Sequence, residues 1–498
     1  MELKNKNIVI VGGGIGGLAT AALLAKDGNK VTILEKNIML GGRARKYIVD
    51  GYIFDMGPSW YMMPDVFENL FKKLDKNILD YLDLRKLDVH YKVFYDNGNS
   101  YLITNNIEDI KEQFEKVESG SGGKLEKYLK KAKKLYDLSM DKMVYFSYKR
   151  LKPLFNIKFL LKLPLLDFIK SFHKDVSFYF KNPELQKIIE FTTVFLGGSP
   201  YNTPAFYELI SHTDFNQGIY YPMGGIHEVV KALEKICVEF GVNIKTNCAV
   251  TKINVVNGKA KSVFCGNDEY SSDIIVCNAD YHFVETQLLE KEWQTHDESF
   301  WSKRVLSPSG FIIYLGLDKK LEKFEHHNLY FNNSWEKSFE KVYKNPKWPE
   351  NPSYYVHVPS KTDPSVSPVG HETVMILVPV AAGLIDDDST REEETNKIIS
   401  HLENLIGEDI KNHIKIKRVY SHRDFISDYN AYKGSAFGIA HTLFQTAMFR
   451  PKNFSKKVDN LYFVGQYTNP GVGMPTTLIS AQIVANLIFD NDSKKYTT

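Results

Sequence analysis

The chain of 498 residues has little cysteine, little net charge and no long apolar run. Its four cysteines, Cys237, Cys248, Cys265 and Cys277, lack the paired spacing of a metal-ligand set. A chain this long buries enough surface to fold without disulfides, so reduced, buried thiols are expected. The 63 basic and 60 acidic side chains leave a net charge of +3, and no KH, RRM or zinc-knuckle pattern occurs, so nucleic acid is not expected as a partner. No uninterrupted apolar stretch reaches about eighteen residues, which excludes a membrane-spanning helix. The apolar segment 8–11 follows Met1 too closely for a signal peptide, and a cytoplasmic location is expected. Equally missing are a G-x-S-x-G elbow, an HExxH helix and any spaced His/Cys ligand set. No metal is therefore expected, and the scattered histidines, His326-His327 among them, are expected at the surface. Any chemistry must be borrowed from a cofactor.

What is present points to a nucleotide. A short apolar strand over 8–11 runs into Val11-Gly12-Gly13-Gly14-Ile15-Gly16-Gly17. Gly12 permits the tight turn, Gly14 lets backbone approach a pyrophosphate, and Gly17 lets the following helix, over 16–26, pack on the strand. The phosphates would then sit at that helix's N-terminus, on unpaired N–H groups, with Ile15 and Gly16 in the first turn. A second strand over 30–34 ends at Glu35, whose carboxylate suits the ribose hydroxyls, with Lys36 beside it. Gly42 and Arg43, in Gly41-Gly42-Arg43, suit a loop closing over a longer, fixed cofactor such as FAD. Gly57, Pro58 and Ser59, in Asp55-Met56-Gly57-Pro58-Ser59, form another close-approach turn.

Two strands and one helix are only half a nucleotide sheet, so the missing parts must come from further along. A second α/β stretch starts at Tyr221-Pro222-Met223-Gly224-Gly225. It comprises a helix over 226–240, a strand over 242–245, a strand starting near Val250, the Asn257-Gly258 hairpin signal, and an apolar 273–277 ending in Asn278-Ala279-Asp280. Val250 and Asn278 are candidates for the cofactor. The third part is a strand over 461–464, a turn through Gly465, Gly473, Met474 and Pro475, and an amphipathic helix over 477–488. A helix N-terminus aimed at an isoalloxazine ring would stabilise its anionic reduced form.

The expected fold is mixed α/β. A Rossmann-like FAD domain is assembled from 1–90, 221–285 and 455–498, and a substrate- and membrane-binding domain from 91–220 and 286–454. Segment 149–170 interleaves six basic residues with Leu and Phe, a pattern suited to an anionic membrane surface.

Both ends of the chain resemble the bacterial-type carotenoid desaturases, the phytoene desaturase-related family of the flavin amine oxidase superfamily. The likeness continues through Phe195-Leu196-Gly197-Gly198-Ser199-Pro200, Asp363-Pro364-Ser365, Gly434-Ser435-Ala436-Phe437 and Phe449-Arg450-Pro451, in the family's order. Gln466, Tyr467 and Asn469 depart from its usual C-terminal signature, which bears on substrate preference.

The resemblance implies non-covalent FAD, since no cysteine lies near the C-terminus. It also implies a carotenoid substrate, hydride transfer to flavin N5 with proton loss from the delocalised cation, and reoxidation by oxygen or a quinone. Phytoene-type desaturation and 3,4-desaturation of a hydroxylated or monocyclic carotenoid both remain open. So do a carotenoid isomerase using reduced FAD and a non-catalytic flavoprotein. No catalytic base is assigned: Asp280, Asp424 and His357 qualify by polarity only and are expected to be structural. Tyr354, Tyr355 and His357 could hold a terminal hydroxyl, and a peripheral membrane attachment through 149–170 is expected.

Overall fold

The computed structural model describes residues 5–149 and 165–489. A five-stranded parallel sheet has the order Leu461–Phe463, Ile274–Cys277, Asn7–Val11, Lys30–Leu34, Asn243–Lys245. Its central strand pairs Val9 with Ile275 on one side and with Thr32 on the other. The reason 8–11 is apolar at every position is that both faces of the sheet are covered. Ile8 and Ile10 point to the helices Ile15–Lys26, His227–Glu239 and Met474–Ile488, whereas Val9 and Val11 point to an antiparallel layer of Val250–Val256, Lys259–Cys265 and Asp268–Ser271.

Helix Ile15–Lys26 packs between the other two helices and is buried from Ile15 to Ala25. Helix Met474–Ile488 starts earlier than the expected 477 and is not amphipathic, being buried on nearly every side. It lies against Ile15–Lys26 and Pro64–Lys73 instead of facing solvent.

A second, seven-stranded sheet runs Ile414–Tyr420, Ser309–Leu317, Glu372–Val380, Tyr354–His357, His327–Phe331, Val89–Tyr95, Ser100–Thr104, with only the contact between 327–331 and 89–95 parallel. Alternation sorts its faces. Phe311, Ile313, Leu315 and Leu317 pack under helix Asp388–Ile406, while Ile312 and Tyr314 face the aromatic interior shared with the helices over 121–190.

The expectation of four reduced thiols is corrected. Cys248 and Cys265 are joined as a disulfide with Cα atoms 5.6 Å apart, while Cys237 and Cys277 are free and buried. The antiparallel register sets Val250 opposite Cys265 and so brings Cys248 beside it, a proximity that 17 residues of separation do not reveal. In segment 149–170, residues 150–164 lie outside the described residues. In the part that is described, Lys170 is not a free surface cation, because its ammonium meets Asp175 Oδ1 at 2.5 Å. It is the apolar Leu166 and Ile169 that point outward, 80% and 78% exposed. Among the described residues no helix is long and apolar enough to cross a membrane.

Candidate functional site

One cavity of about 910 Å³ runs from the glycine turn of the parallel sheet into the aromatic interior under the second sheet. Its glycine end is built by close contacts that only a missing Cβ allows. A Cβ on Gly17 would stand 2.2 Å from the carbonyl oxygen of Gly12, so the helix could not sit this close to the strand turn. Gly12 itself has φ +102° and gives its N–H to Leu34 O at 2.8 Å. Cβ atoms on Gly14 and Gly16 would lie 2.8 and 2.6 Å from the Asn278 amide, which donates to Gly12 O at 3.3 Å. Asn278 is thus the post around which the glycine turn is wrapped.

Glu35 is buried at the end of its strand and already ordered. One carboxylate oxygen accepts the Gly13 N–H at 2.7 Å and the other accepts Asn37 N–H at 2.8 Å. Loop 41–43 closes beside it, since Gly41 N–H donates to Gly13 O at 2.8 Å. Gly57 fits under Arg43, where a Cβ would come within 2.7 Å of its carbonyl oxygen.

The C-terminal wall is the turn 465–473. Gly465, Gly471 and Gly473 all have φ above +110°, and the Asn469–Pro470 peptide is cis. Helix Met474–Ile488 starts at Gly473, so its first, unpaired N–H groups open on the cavity. Gln466 Nε2 and both amide atoms of Asn469 are buried on this wall without a partner. Orphaned amides beside a helix N-terminus and a glycine cradle are the features a flavin nucleotide would satisfy.

Of the residues expected from sequence, Gly12, Gly14, Ile15, Gly16, Glu35, Lys36, Gly42, Arg43, Gly57, Pro58, Ser59, Val250, Asn278, Gly465, Gly473, Met474 and Pro475 all line this cavity. Gly17 does not line it and acts one step behind, through the helix contact. Lys36 lines it with its stem, while its ammonium donates to Ser427 O at 2.7 Å. Burial lowers the pKa of Lys36.

Other residues were not assigned to the site from sequence, although Phe195, Phe437 and Arg450 stand in the motifs that carry the resemblance. Trp60, Phe195, Phe206, Phe331, Phe339 and Phe437 supply much of the apolar wall. Aromatics this scattered carry no periodic signal. His441 lines the cavity with its Nδ1 2.7 Å from Leu196 O, and burial pushes its pKa down to about 3. Arg450 backs the 465–473 turn, fully buried, and its guanidinium donates only to the carbonyl oxygens of Gln445, Ile439 and Gln466. Desolvation lowers its pKa to about 10. A buried cation without a carboxylate is costly unless a negative group comes close.

Each of the three residues considered as bases has structural partners, and of them only Asp280 lines the cavity. Asp280 lines the cavity, but it caps the turn 281–283 and accepts Tyr467 O–H at 2.7 Å. Burial raises its pKa. Asp424 completes a capping box at Ser421 and pairs with Arg391 at 2.6 Å, away from the cavity. His357 is buried behind the wall with His326 and His327. The expectation that His326 and His327 are surface histidines is therefore wrong: His326 packs against Tyr221 and His327 stacks on Trp60 with centroids 4.2 Å apart. Of the candidates for a substrate hydroxyl, Tyr354 and Tyr355 line the cavity and His357 does not.

Comparison with known proteins gives a consistent result. The family of flavin containing amine oxidoreductases matches residues 15–489. A carotenoid 3,4-desaturase of Haloarcula japonica is 40% identical over 491 residues, covering 98% of this chain and 99% of its own length. A zeta-carotene-forming phytoene desaturase of Myxococcus xanthus is 33% identical, covering 97% of this chain and 93% of its own. A solved oxidoreductase of Methanosarcina mazei superposes with a TM-score of 0.63 at 17% identity, covering 96% of this chain and 99% of that one. Putrescine oxidase bound to putrescine gives 0.62 at 15% identity, covering 97% and 99%. At these identities the two structures speak for the fold alone.

Proposed function

The chain belongs to the flavin containing amine oxidoreductase family, and from that premise we propose that it is an FAD-dependent carotenoid desaturase. The observation that carries this reading is the continuity of the cavity. A glycine cradle fit for a dinucleotide opens directly into a long apolar space walled by aromatic rings. The 40% identity to a carotenoid 3,4-desaturase over nearly both full lengths supports the same substrate class and favours the 3,4 bond as the site of reaction.

Gly12, Gly14, Gly16, Glu35, Arg43, Asn278 and the 465–475 turn would hold FAD, which would supply a two-electron acceptor for the hydride. The residues of the chain do the rest. Gly12, Gly14 and Gly16 keep backbone close to the phosphates, and the N-terminus of helix Met474–Ile488 with the buried Arg450 provides positive potential where negative charge accumulates. The aromatic wall orients the neutral polyene and surrounds it with apolar surface. The proton released after hydride loss passes to a base or to water, and no side chain is assigned that role. The three carboxylates on the wall are each committed: Glu35 to Gly13 and Asn37, Asp280 to Tyr467, and Asp428 to Arg45 and Tyr420. In this reading 1–90, 221–285 and 455–498 bind the cofactor, and 91–220 and 286–454 bind the substrate.

Access from a membrane is part of the proposal. Phe168 lines the cavity and stacks on Phe206 at 4.4 Å, while its neighbours Leu166 and Ile169 point outward. Phe444 and Phe449, 72% and 52% exposed, lie beyond Thr446, which is hydrogen-bonded to Tyr207. This apolar rim, with apolar contact replacing part of the expected lysine contact, suits a protein that lies on a bilayer.

The test is anaerobic mixing of the FAD-loaded protein with carotenoids in liposomes. Bleaching of the flavin with a product absorbing at longer wavelength is the expected result. A geometric isomer formed without flavin reduction would replace the reading by an isomerase, and no change with any carotenoid would leave a binding protein.

A further inference from the structure

His326, His327 and His357 lie outside the cavity, and nothing in the proposed chemistry uses them. All three are buried, at 4%, 0% and 1% exposure, and one ring nitrogen from each lies within 4.8 Å of the others. Their positions follow from the second sheet. His327 and His357 are direct partners in the antiparallel register of strands 327–331 and 354–357, so their side chains leave the same face. His326, just before the strand, accepts the Val358 N–H at its carbonyl and turns its ring to the same point.

The hydrogen bonds sort the nitrogens into two sets. Two of the Nδ1 atoms are occupied: His326 Nδ1 lies 2.7 Å from Thr362 Oγ1 and His327 Nδ1 lies 2.6 Å from Tyr355 Oη. The Nε2 atoms turn inward and are badly served. Those of His326 and His357 face each other at 3.1 Å, and that of His327 is buried with no partner. A further orphan is His90, 1% exposed, which has no partner on either nitrogen. Three inward imidazole nitrogens share at most one proton between two of them, which leaves the third unsatisfied.

We propose that His326, His327 and His357 bind one divalent cation of the zinc class through their Nε2 atoms. Two nitrogens at about 2.0–2.1 Å from a tetrahedral ion stand roughly 3.3 Å apart, and the pair at 3.1 Å already has that spacing. The third ring, whose nitrogen lies within 4.8 Å of the others, must close on that pair to complete the site. An all-imidazole set with no carboxylate suits Zn²⁺, Co²⁺ or Cu²⁺ and not the oxygen-seeking Mg²⁺ or Ca²⁺. The outer partners are the kind a metal-bound histidine needs, because metal on Nε2 places the proton on Nδ1. His326 then donates to Thr362 and His327 to Tyr355. Charge is balanced at one remove: Asp363, 1% exposed, accepts from Gly224 N–H at 2.6 Å and contacts the Tyr221 hydroxyl, whose ring rests on His326. Tyr355 passes the effect to the cavity, since its hydroxyl is 2.9 Å from Ser59 Oγ on the wall. The bound ion would fix which way that hydroxyl chain points.

The test uses the full-length, FAD-loaded protein produced in medium supplemented with Co²⁺ or Zn²⁺, then treated with EDTA and desalted. The expected result is close to one metal per chain by elemental analysis, with cobalt ligand-field absorption to the red of the flavin bands. In His327→Gln and His357→Gln the metal content should fall at least tenfold while the FAD-to-protein ratio holds. X-ray absorption of the wild-type zinc form should report a nitrogen-dominated shell, which decides the matter even if the variants fail to fold. Less than a tenth of an equivalent in wild type, an oxygen-rich shell, or equal metal in folded variants and wild type would overturn the proposal.

Discussion

Gly17→Ala isolates the part of the nucleotide fingerprint that is purely steric. Gly17 is helical, with no positive φ to strain, so an added methyl acts through contact alone. It would sit 2.2 Å from Gly12 O, with Ile10 Cγ2 and Asn278 Nδ2 both at 3.3 Å. The first contact is about 1 Å inside what carbon and oxygen tolerate. The obstacle is backbone, so no rotamer relieves it. Either the helix Ile15–Lys26 lifts from the sheet or the Gly12 carbonyl moves, and Gly12 lines the cofactor cavity. Overpacking of this kind costs about 1–3 kcal/mol. If that cost falls on the bound state, FAD affinity drops roughly 5- to 150-fold. For a chain of this length 1 kcal/mol shifts Tm by only about 1 °C. Flavin retention measured by fluorescence titration of stripped protein is therefore the sensitive assay. Gly123→Ala is the control: within helix Ser121–Lys142 its Cβ meets nothing within 4 Å, and it should leave FAD binding unchanged. Wild-type FAD affinity in Gly17→Ala would refute the reasoning.

Further outcomes follow from other parts of the structure. Asp214 is fully buried with Tyr91 O–H on one oxygen and no partner on the other, and burial raises its pKa to about 7. Its stabilising contribution is complete below about pH 4 and is lost as pH rises through 7, so Asp214→Asn should flatten the decline of Tm between pH 5 and 8.5; an unchanged slope counts against it. Trp60→Ala, which removes a ring packed against Phe195, His327 and Tyr355, should raise the KM for carotenoid far more than the Kd for FAD, as steady-state and titration data would establish. Ile169→Glu with Phe444→Glu should abolish flotation with anionic liposomes while the flavin spectrum stays normal; undiminished flotation would exclude this rim as the contact. Thiol titration of unreduced, denatured protein should count two reactive cysteines, Cys237 and Cys277, and four would disprove the Cys248–Cys265 bond.

Local rules made much of this protein legible in one dimension. The glycine turn at 12–17 and the strand ending in Glu35 each obey backbone sterics and dipoles acting over a few residues, so spacing alone located them. The Asn257-Gly258 hairpin was legible for the same reason: both residues have positive φ between the paired strands. Where long-range packing decides, the sequence was silent or misleading. Helix Met474–Ile488 reads as amphipathic, yet helices on two sides bury it, and Ser480 and Gln482 are satisfied internally. Lys170 reads as an unpaired cation, yet it is paired with Asp175, five residues on. His326 and His327 read as solvated because their partner His357 comes from another strand, 30 residues on. Sequence determined the glycine turn at 12–17 that lines one end of the cavity, because that turn is made of backbone. Tertiary structure alone decided what faces the cofactor and what lies behind it, because side chains from distant segments meet only when two sheets are closed over one cavity.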